Sequence, residues 1–233
     1  ILFDTNCYDA YLKYARAYLG VNPQLSIEML TKLKANHPEL SEVNRELGNA
    51  YYQAQNYSKA KSAYDEFMQQ GTPNAQDYSR YAMLLYLNKD YIQSLSSVNK
   101  GLIIEKDNHL LKRLRMYDLY ETGAYKEGLE AADVFFNGQE ESDYVYLDFL
   151  YHGRLLQANG KNEEAIQWFE KAVKADTSHE HPEIIKEASA VYEKLQNYPE
   201  AIHLYLLYLD ELNGKAEVSD RFLLGRLYYM AAG

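Results

Sequence analysis

A five-residue motif returns at a fixed spacing of 34 residues through the middle of the chain. Asn56-Tyr57-Ser58-Lys59-Ala60, Asp90-Tyr91-Ile92-Gln93-Ser94 and Ala124-Tyr125-Lys126-Glu127-Gly128 are three copies in strict register. Asn197-Tyr198-Pro199-Glu200-Ala201 repeats the pattern later, and Lys161-Asn162-Glu163-Glu164-Ala165 is a version without the tyrosine. An apolar pattern of helical period lies on each side of every copy. A sustained period of this length is the signature of stacked two-helix modules. One such module has two apolar faces and cannot bury both alone, so its neighbours must supply the rest of the core.

The side chains within a module carry a more specific pattern. Residues 41–74 hold Leu47-Gly48, Tyr51, Ala60, Tyr64 and Phe67 and close at Thr72-Pro73; residues 146–179 hold Gly153, Leu156, Ala165, Phe169 and Ala172 and end in Asp176-Thr177. These positions resemble the tetratricopeptide repeat family. In that family small residues at positions 8 and 20 let two antiparallel helices approach closely, and large ones at positions 4, 7, 11 and 24 fill the gap. The resemblance puts unit starts near Tyr8, Ser41, Ala75, His109, Tyr146, Pro182 and Val218. It implies an all-α, right-handed superhelical solenoid of about six and a half helix pairs, one array over residues 1–233, with first helices lining the concave side. Arg115-Met116 and Gly128 in the fourth unit, and Ser94 in the third, depart from the pattern. The seventh unit has only its first helix, with Leu224-Gly225 and Tyr228 in place. It reads as a piece of a longer protein or as a capping helix.

Composition narrows the functions available. A formal charge of -10 argues against nucleic acid, whose binding rests on neutralising phosphates with Lys and Arg. The longest apolar run, residues 202–209, is interrupted by His203 and falls well short of the ~18 residues needed to cross a bilayer. Cys7 is the single cysteine and cannot close an internal disulfide. The start Ile1-Leu2-Phe3 has no methionine, so the sequence reads as a soluble protein of the cytoplasm or, after removal of a targeting segment, of an extracytoplasmic space.

Chemistry-bearing constellations are sparse. None of the 12 glycines clusters into a phosphate-cradling loop, and Cys7 has no histidine near it in sequence. His179-Glu180-His181 hints at a metal but sits in a turn before Pro182 without a second ligand pair, and His152 falls at a packing position. The expectation is a protein that is not an enzyme and that uses no cofactor or metal.

The binding expectation rests on where the arginines fall. All eight lie on first helices, and Arg16, Arg45, Arg80, Arg113, Arg154 and Arg226 occupy positions that escape the packing stripe and face the groove. Tyr52, Tyr86, Tyr117, Tyr120 and Tyr229 share those positions, with Lys13 and Asn49. The guanidinium is a planar fork suited to carboxylates, and Tyr and Arg often dominate binding energy. Peptide-binding residues are therefore expected at Arg16, Arg45, Asn49, Tyr52, Arg80, Tyr86, Arg113, Tyr117, Tyr120 and Arg154. The partner would be a protein or peptide with acidic and apolar groups. The competing expectation is that these arginines pair with acids on neighbouring first helices, such as Glu42, Glu46 and Glu121. Some family members clamp a terminal carboxylate with Lys, Asn, Asn, Lys and Arg. Arg45 and Asn49 resemble the first pair, but Arg80, Leu110 and Leu114 replace the other three, so that clamp is not expected. The tyrosines that begin second helices, Tyr57, Tyr91, Tyr125 and Tyr198, are expected to wedge between units. Alternative functions are a regulatory or sensory repeat region of a larger protein and a glycan-binding array built on the tyrosines. Pairing of two copies through an exposed end face is a further expectation.

Overall fold

The computed structural model describes residues 7–137 and 143–233; Ile1-Leu2-Phe3 lie outside the described residues. Among those described, thirteen α-helices and no strands form the chain. They are α1 (Tyr8–Tyr18), α2 (Pro23–Asn36), α3 (Ser41–Gln53), α4 (Tyr57–Gln70), α5 (Ala75–Leu87), α6 (Tyr91–Ile104) and α7 (His109–Glu121), then α8 (Tyr125–Phe136), α9 (Tyr146–Ala158), α10 (Asn162–Ala175), α11 (Glu183–Lys194), α12 (Tyr198–Glu211) and α13 (Val218–Ala232). The odd-numbered helices are the first helices of the repeats. Their starts fall at the residues the repeat anchors, with Pro182 standing just before α11.

The starts of α2, α4 and α5 follow from short polar side chains. Asn22 and Asn56 accept from the amides of Leu25 and Lys59 at 3.1 and 3.2 Å, satisfying N–H groups that the first turn leaves open. Asn74 and Asp77 cap each other's amides, both at 3.0 Å. The turn between paired helices is equally regular. Its fifteenth residue adopts positive φ in every complete repeat from the second to the sixth: Gln55 at 57°, Lys89 at 62°, Gly123 at 80°, Gly160 at 79° and Gln196 at 58°.

Close approach of paired helices is built at positions 8 and 20. A Cβ on Gly48 would overlap the fully buried Tyr64 ring, and one on Gly153 would lie 3.0 Å from Phe169. Three pairs use a serine instead. The Ser26, Ser94 and Ser189 hydroxyls donate across the helix pair to the carbonyls of Ala15, Ala82 and Ala201 at 2.7, 3.0 and 2.7 Å. Ser94, a departure from the pattern in sequence, is therefore a working substitute: its hydroxyl is buried but satisfied.

The chain divides into two compact units, residues 1–118 and 119–233, with the division inside α7. In the first unit α1 to α6 pack each against the next around Leu12, Leu30, Leu33, Val43, Leu47 and Ala50, and around Tyr64, Phe67 and Leu84. In the second, α8 to α13 do the same around Phe149, Ala165, Phe169, Ile184 and Val191, and then around Tyr205, Tyr208 and Leu227. His152 sits in the second core against Trp168, ring centroids 4.0 Å apart, and burial pulls its pKa down from 6.5 to about 4. On α13, Phe222 and Tyr229 are 72% and 79% exposed, and Gly225 faces open space.

Candidate peptide-binding wall

In the first unit α1, α3 and α5 bring Arg16, Arg45 and Arg80 together around two adjoining clefts. One, of about 300 Å³, is lined by Arg16, Arg45, Glu46, Asn49, Asp77 and Arg80 among others. The other, of about 270 Å³, shares Arg80 and Gln76 with the first and adds Tyr52, Met83 and Leu110. The repeat explains the convergence, since helix faces three and four residues apart point the same way and stacked first helices align those faces.

The cations here are not equivalent. Arg16 donates to Glu46 at 2.8 Å, and Arg45 lies 3.4 Å from the same carboxylate and 3.8 Å from Asp77. Glu46 and Asp77 are both buried, and the Glu46 hydrogen bond raises the Arg16 pKa. Arg45 also rests over the Phe67 ring at 5.4 Å. Asn49 accepts from the Tyr64 hydroxyl at 2.8 Å. Arg80 lies over the Tyr52 ring at 5.3 Å and has no carboxylate partner among the described residues.

In the second unit, Arg154 forms a two-pronged bond to Glu187, Nε at 2.8 Å and Nη2 at 2.5 Å, with the Tyr120 and Tyr151 rings 5.8 and 5.5 Å from the guanidinium. Burial is the largest single influence and works against its charge, but the Glu187 hydrogen bond and the Coulombic pull of Glu187, Tyr120 and Tyr151 together outweigh it, and the pKa is raised. Arg226 donates to Glu193 at 2.8 Å, and Lys186 to Asp220 at 2.8 Å, which lowers the Asp220 pKa. Glu121 accepts from the Tyr151 hydroxyl rather than from an arginine.

Tyr57, Tyr91 and Tyr125, the tyrosines that begin second helices, each pack on a tyrosine of their own repeat, Tyr52, Tyr86 and Tyr120, at 5.6 Å between centroids. Five residues separate the two, so the turn folds one ring onto the other. Tyr86 and Tyr120 each touch a further tyrosine, Tyr117 at 5.7 Å and Tyr151 at 5.5 Å. Tyr117 is only 4% exposed, so in this structure its ring supports the wall from behind and offers no surface to a ligand. Arg113 is half-buried.

Of the carboxylates that hold these arginines, sequence reasoning named Glu46 but not Asp77, Glu187 or Glu193. A signal for them existed: Arg16 and Arg154 share the ninth position of their units, and Glu46 and Glu187 the sixth position of the unit that follows. His179 pairs with Glu211 at 3.1 Å and His181 with Glu183 at 3.2 Å, the latter also stacking on Tyr146. Among the described residues no cluster of three or more His, Cys, Asp or Glu could hold a metal ion, and no helix is long and apolar enough to cross a membrane.

Antiparallel pairs of helices of 11–15 residues, small residues at their crossing and turns at a regular spacing define the tetratricopeptide-repeat fold. Solved structures share it. YrrB, described as a TPR protein with an unusual peptide-binding site, matches at TM-score 0.63 and 15% identity over 71% of this chain and 84% of its own. PilF of Pseudomonas aeruginosa matches at 0.62 and 19% identity over 84% and 86%. The Cut9–Hcn1 assembly of the APC/C matches at 0.66 and 12% identity, covering 93% of this chain but 42% of the other. No family model and no curated protein matches the sequence.

Proposed function

We propose that this chain is a non-catalytic interaction module that holds an extended peptide segment of a protein partner against the wall of α1, α3 and α5. The observation that carries the reading is the pair of adjoining clefts, in which Arg80 is shared and polar and apolar surfaces meet within one stretch of wall. An acidic protein with a local cationic cleft favours a segment carrying negative charge, and Met83 and Leu110 offer footing for an apolar side chain. The peptide-binding site named for YrrB supports the same use of a related fold.

Selection of random dodecapeptides displayed on phage against the immobilised chain tests this. The expected result is enrichment of sequences combining an acid with a large apolar residue, reduced by an Arg45→Gln/Arg80→Gln double variant of normal helicity. Neutralisation is a cleaner probe than charge reversal, because a glutamate at position 45 would face Glu46 and Asp77 and strain the fold itself. A library that enriches nothing, or enriches equally on the variant, overturns the reading.

A further inference from the structure

Resting on that peptide-binding reading, we propose that Arg80 alone reads the partner's charge, taking one carboxylate of the bound peptide, while Arg16 and Arg45 are committed to holding first helices together. Three guanidiniums and two buried carboxylates line the polar cleft, which leaves a single positive charge uncompensated. Arg16 and Arg45 share Glu46, and Arg45 reaches Asp77 as well. For either to grip an incoming anion it must loosen its hold on a carboxylate that is already out of water: Arg16 would leave Glu46 to Arg45 alone, and Arg45 would draw away from both Glu46 and Asp77. Among the described residues Arg80 has no ion pair to give up. It is also half-buried and braced on the Tyr52 ring, so little side-chain freedom is lost when it binds.

Its position fixes the rest of the ligand chemistry. Arg80 borders both clefts, so a carboxylate on its fork leaves the neighbouring residue over Met83 and Leu110, where an apolar side chain fits. A single uncompensated cation beside Glu46 and Asp77 suits a monoanion. A doubly charged phosphate would bring its second charge against those two carboxylates. The ligand is thus a carboxylate followed or preceded by an apolar residue, the carboxylate being that of an Asp or Glu side chain or of a chain terminus.

The test uses a dodecapeptide recovered from the selection above, labelled for fluorescence anisotropy, with the full chain. Arg80→Gln is expected to weaken it about ten- to hundredfold, the range of a lost charge-assisted hydrogen bond, and to abolish preference for the acidic peptide over its Asn or Gln isostere. Arg16→Gln is expected to change affinity by less than about threefold. On the unaltered protein, neutralising the side-chain acid or amidating the C-terminus must cost about tenfold in one case, and which one identifies the carboxylate. This arm needs no variant and stands even where Arg80→Gln fails to fold. The assignment to Arg80 is overturned if Arg16→Gln or Arg45→Gln weakens binding as much as Arg80→Gln while the melting curve is unchanged. It is overturned equally if neither peptide modification matters. In those cases a peptide still binds, so the reading beneath survives; a selection with no enriched peptide removes that reading instead.

Discussion

The two units build their first-helix walls from the same residue types and arrive at different electrostatics. In the second unit Arg154 is locked, its fork filled by Glu187 and its faces covered by Tyr120 and Tyr151. In the first unit Arg16, also at the ninth position of its repeat, is 46% exposed along its side chain and shares its acid with Arg45, while Arg80 keeps an open fork. The difference lies in the ratio of acids to arginines along a wall. Position within the repeat decides which way an arginine points. Only the neighbouring helices decide whether it is free to bind.

The largest effect expected to separate the units is in acid. The seventh position of the repeat is Leu47 in the first unit and His152 in the second. Because burial depresses the His152 pKa to about 4 from 6.5, the unfolded chain binds more protons than the folded one between those values. Stability from this residue is fully present above pH 6.5, falls as pH drops through the window, and has lost about 3 kcal/mol by pH 4. Urea unfolding followed by Trp168 fluorescence should show this slope, and His152→Leu should flatten it; parallel slopes would mean that the imidazole is neutral for another reason.

Gly48 and Gly153 hold the same eighth position, yet the structure predicts unequal tolerance. Gly48→Ala must push a fully buried Tyr64 ring and should destabilise by about 2 kcal/mol, overpacking less the helix-propensity gain. Gly153→Ala meets Phe169 at 3.0 Å, a few tenths of an ångström too close, so the two terms nearly cancel. Equal losses in thermal melts would show that the crossing distances do not differ. For the ion pairs, Arg154→Met should cost about 1–2 kcal/mol, because Glu187 is left two-thirds buried without its partner. Arg16→Met should cost only about 0.5 kcal/mol, since Arg45 remains beside Glu46. A reversed order in denaturant midpoints would break the distinction between locked and shared arginines.

A small effect of opposite sign in the two units concerns the turns. At the fifteenth position of the repeat the described residues of the first unit have Gln55 and Lys89, which carry side chains, whereas the second unit has Gly123 and Gly160 beside Gln196. Lys89→Gly should stabilise by about 0.5 kcal/mol, left-handed strain relieved less glycine's added chain entropy, and Gly160→Ala should destabilise by about 1 kcal/mol. Calorimetry on the two variants would refute this if both shifted the same way.

Much of the fold was legible because its determinants are local. Gly48, Ala60, Gly153 and Ala165 mark the crossings, and the asparagines mark the starts. Ser94 was misleading only because a hydroxyl's satisfaction depends on a carbonyl twelve residues away, Ala82. The left-handed turn at Gln55 and Lys89 leaves no trace in composition, since neither residue prefers it. The arginine face was legible from helical period. Its division into paired and unpaired members was not, because Asp77 and Glu187 reach their arginines across a stack whose offset only coordinates supply.

Asp77 and Asp220 each serve two masters. Each accepts from an amide at the start of its own helix, Asn74 at 3.0 Å and Glu217 at 3.1 Å, and each meets a cation from the preceding first helix, Arg45 and Lys186. Fraying of one helix start therefore releases a grip on the repeat before it, so an opening that begins at one module is passed to its neighbour rather than contained. Amide exchange within each unit should consequently proceed in blocks larger than a single helical hairpin.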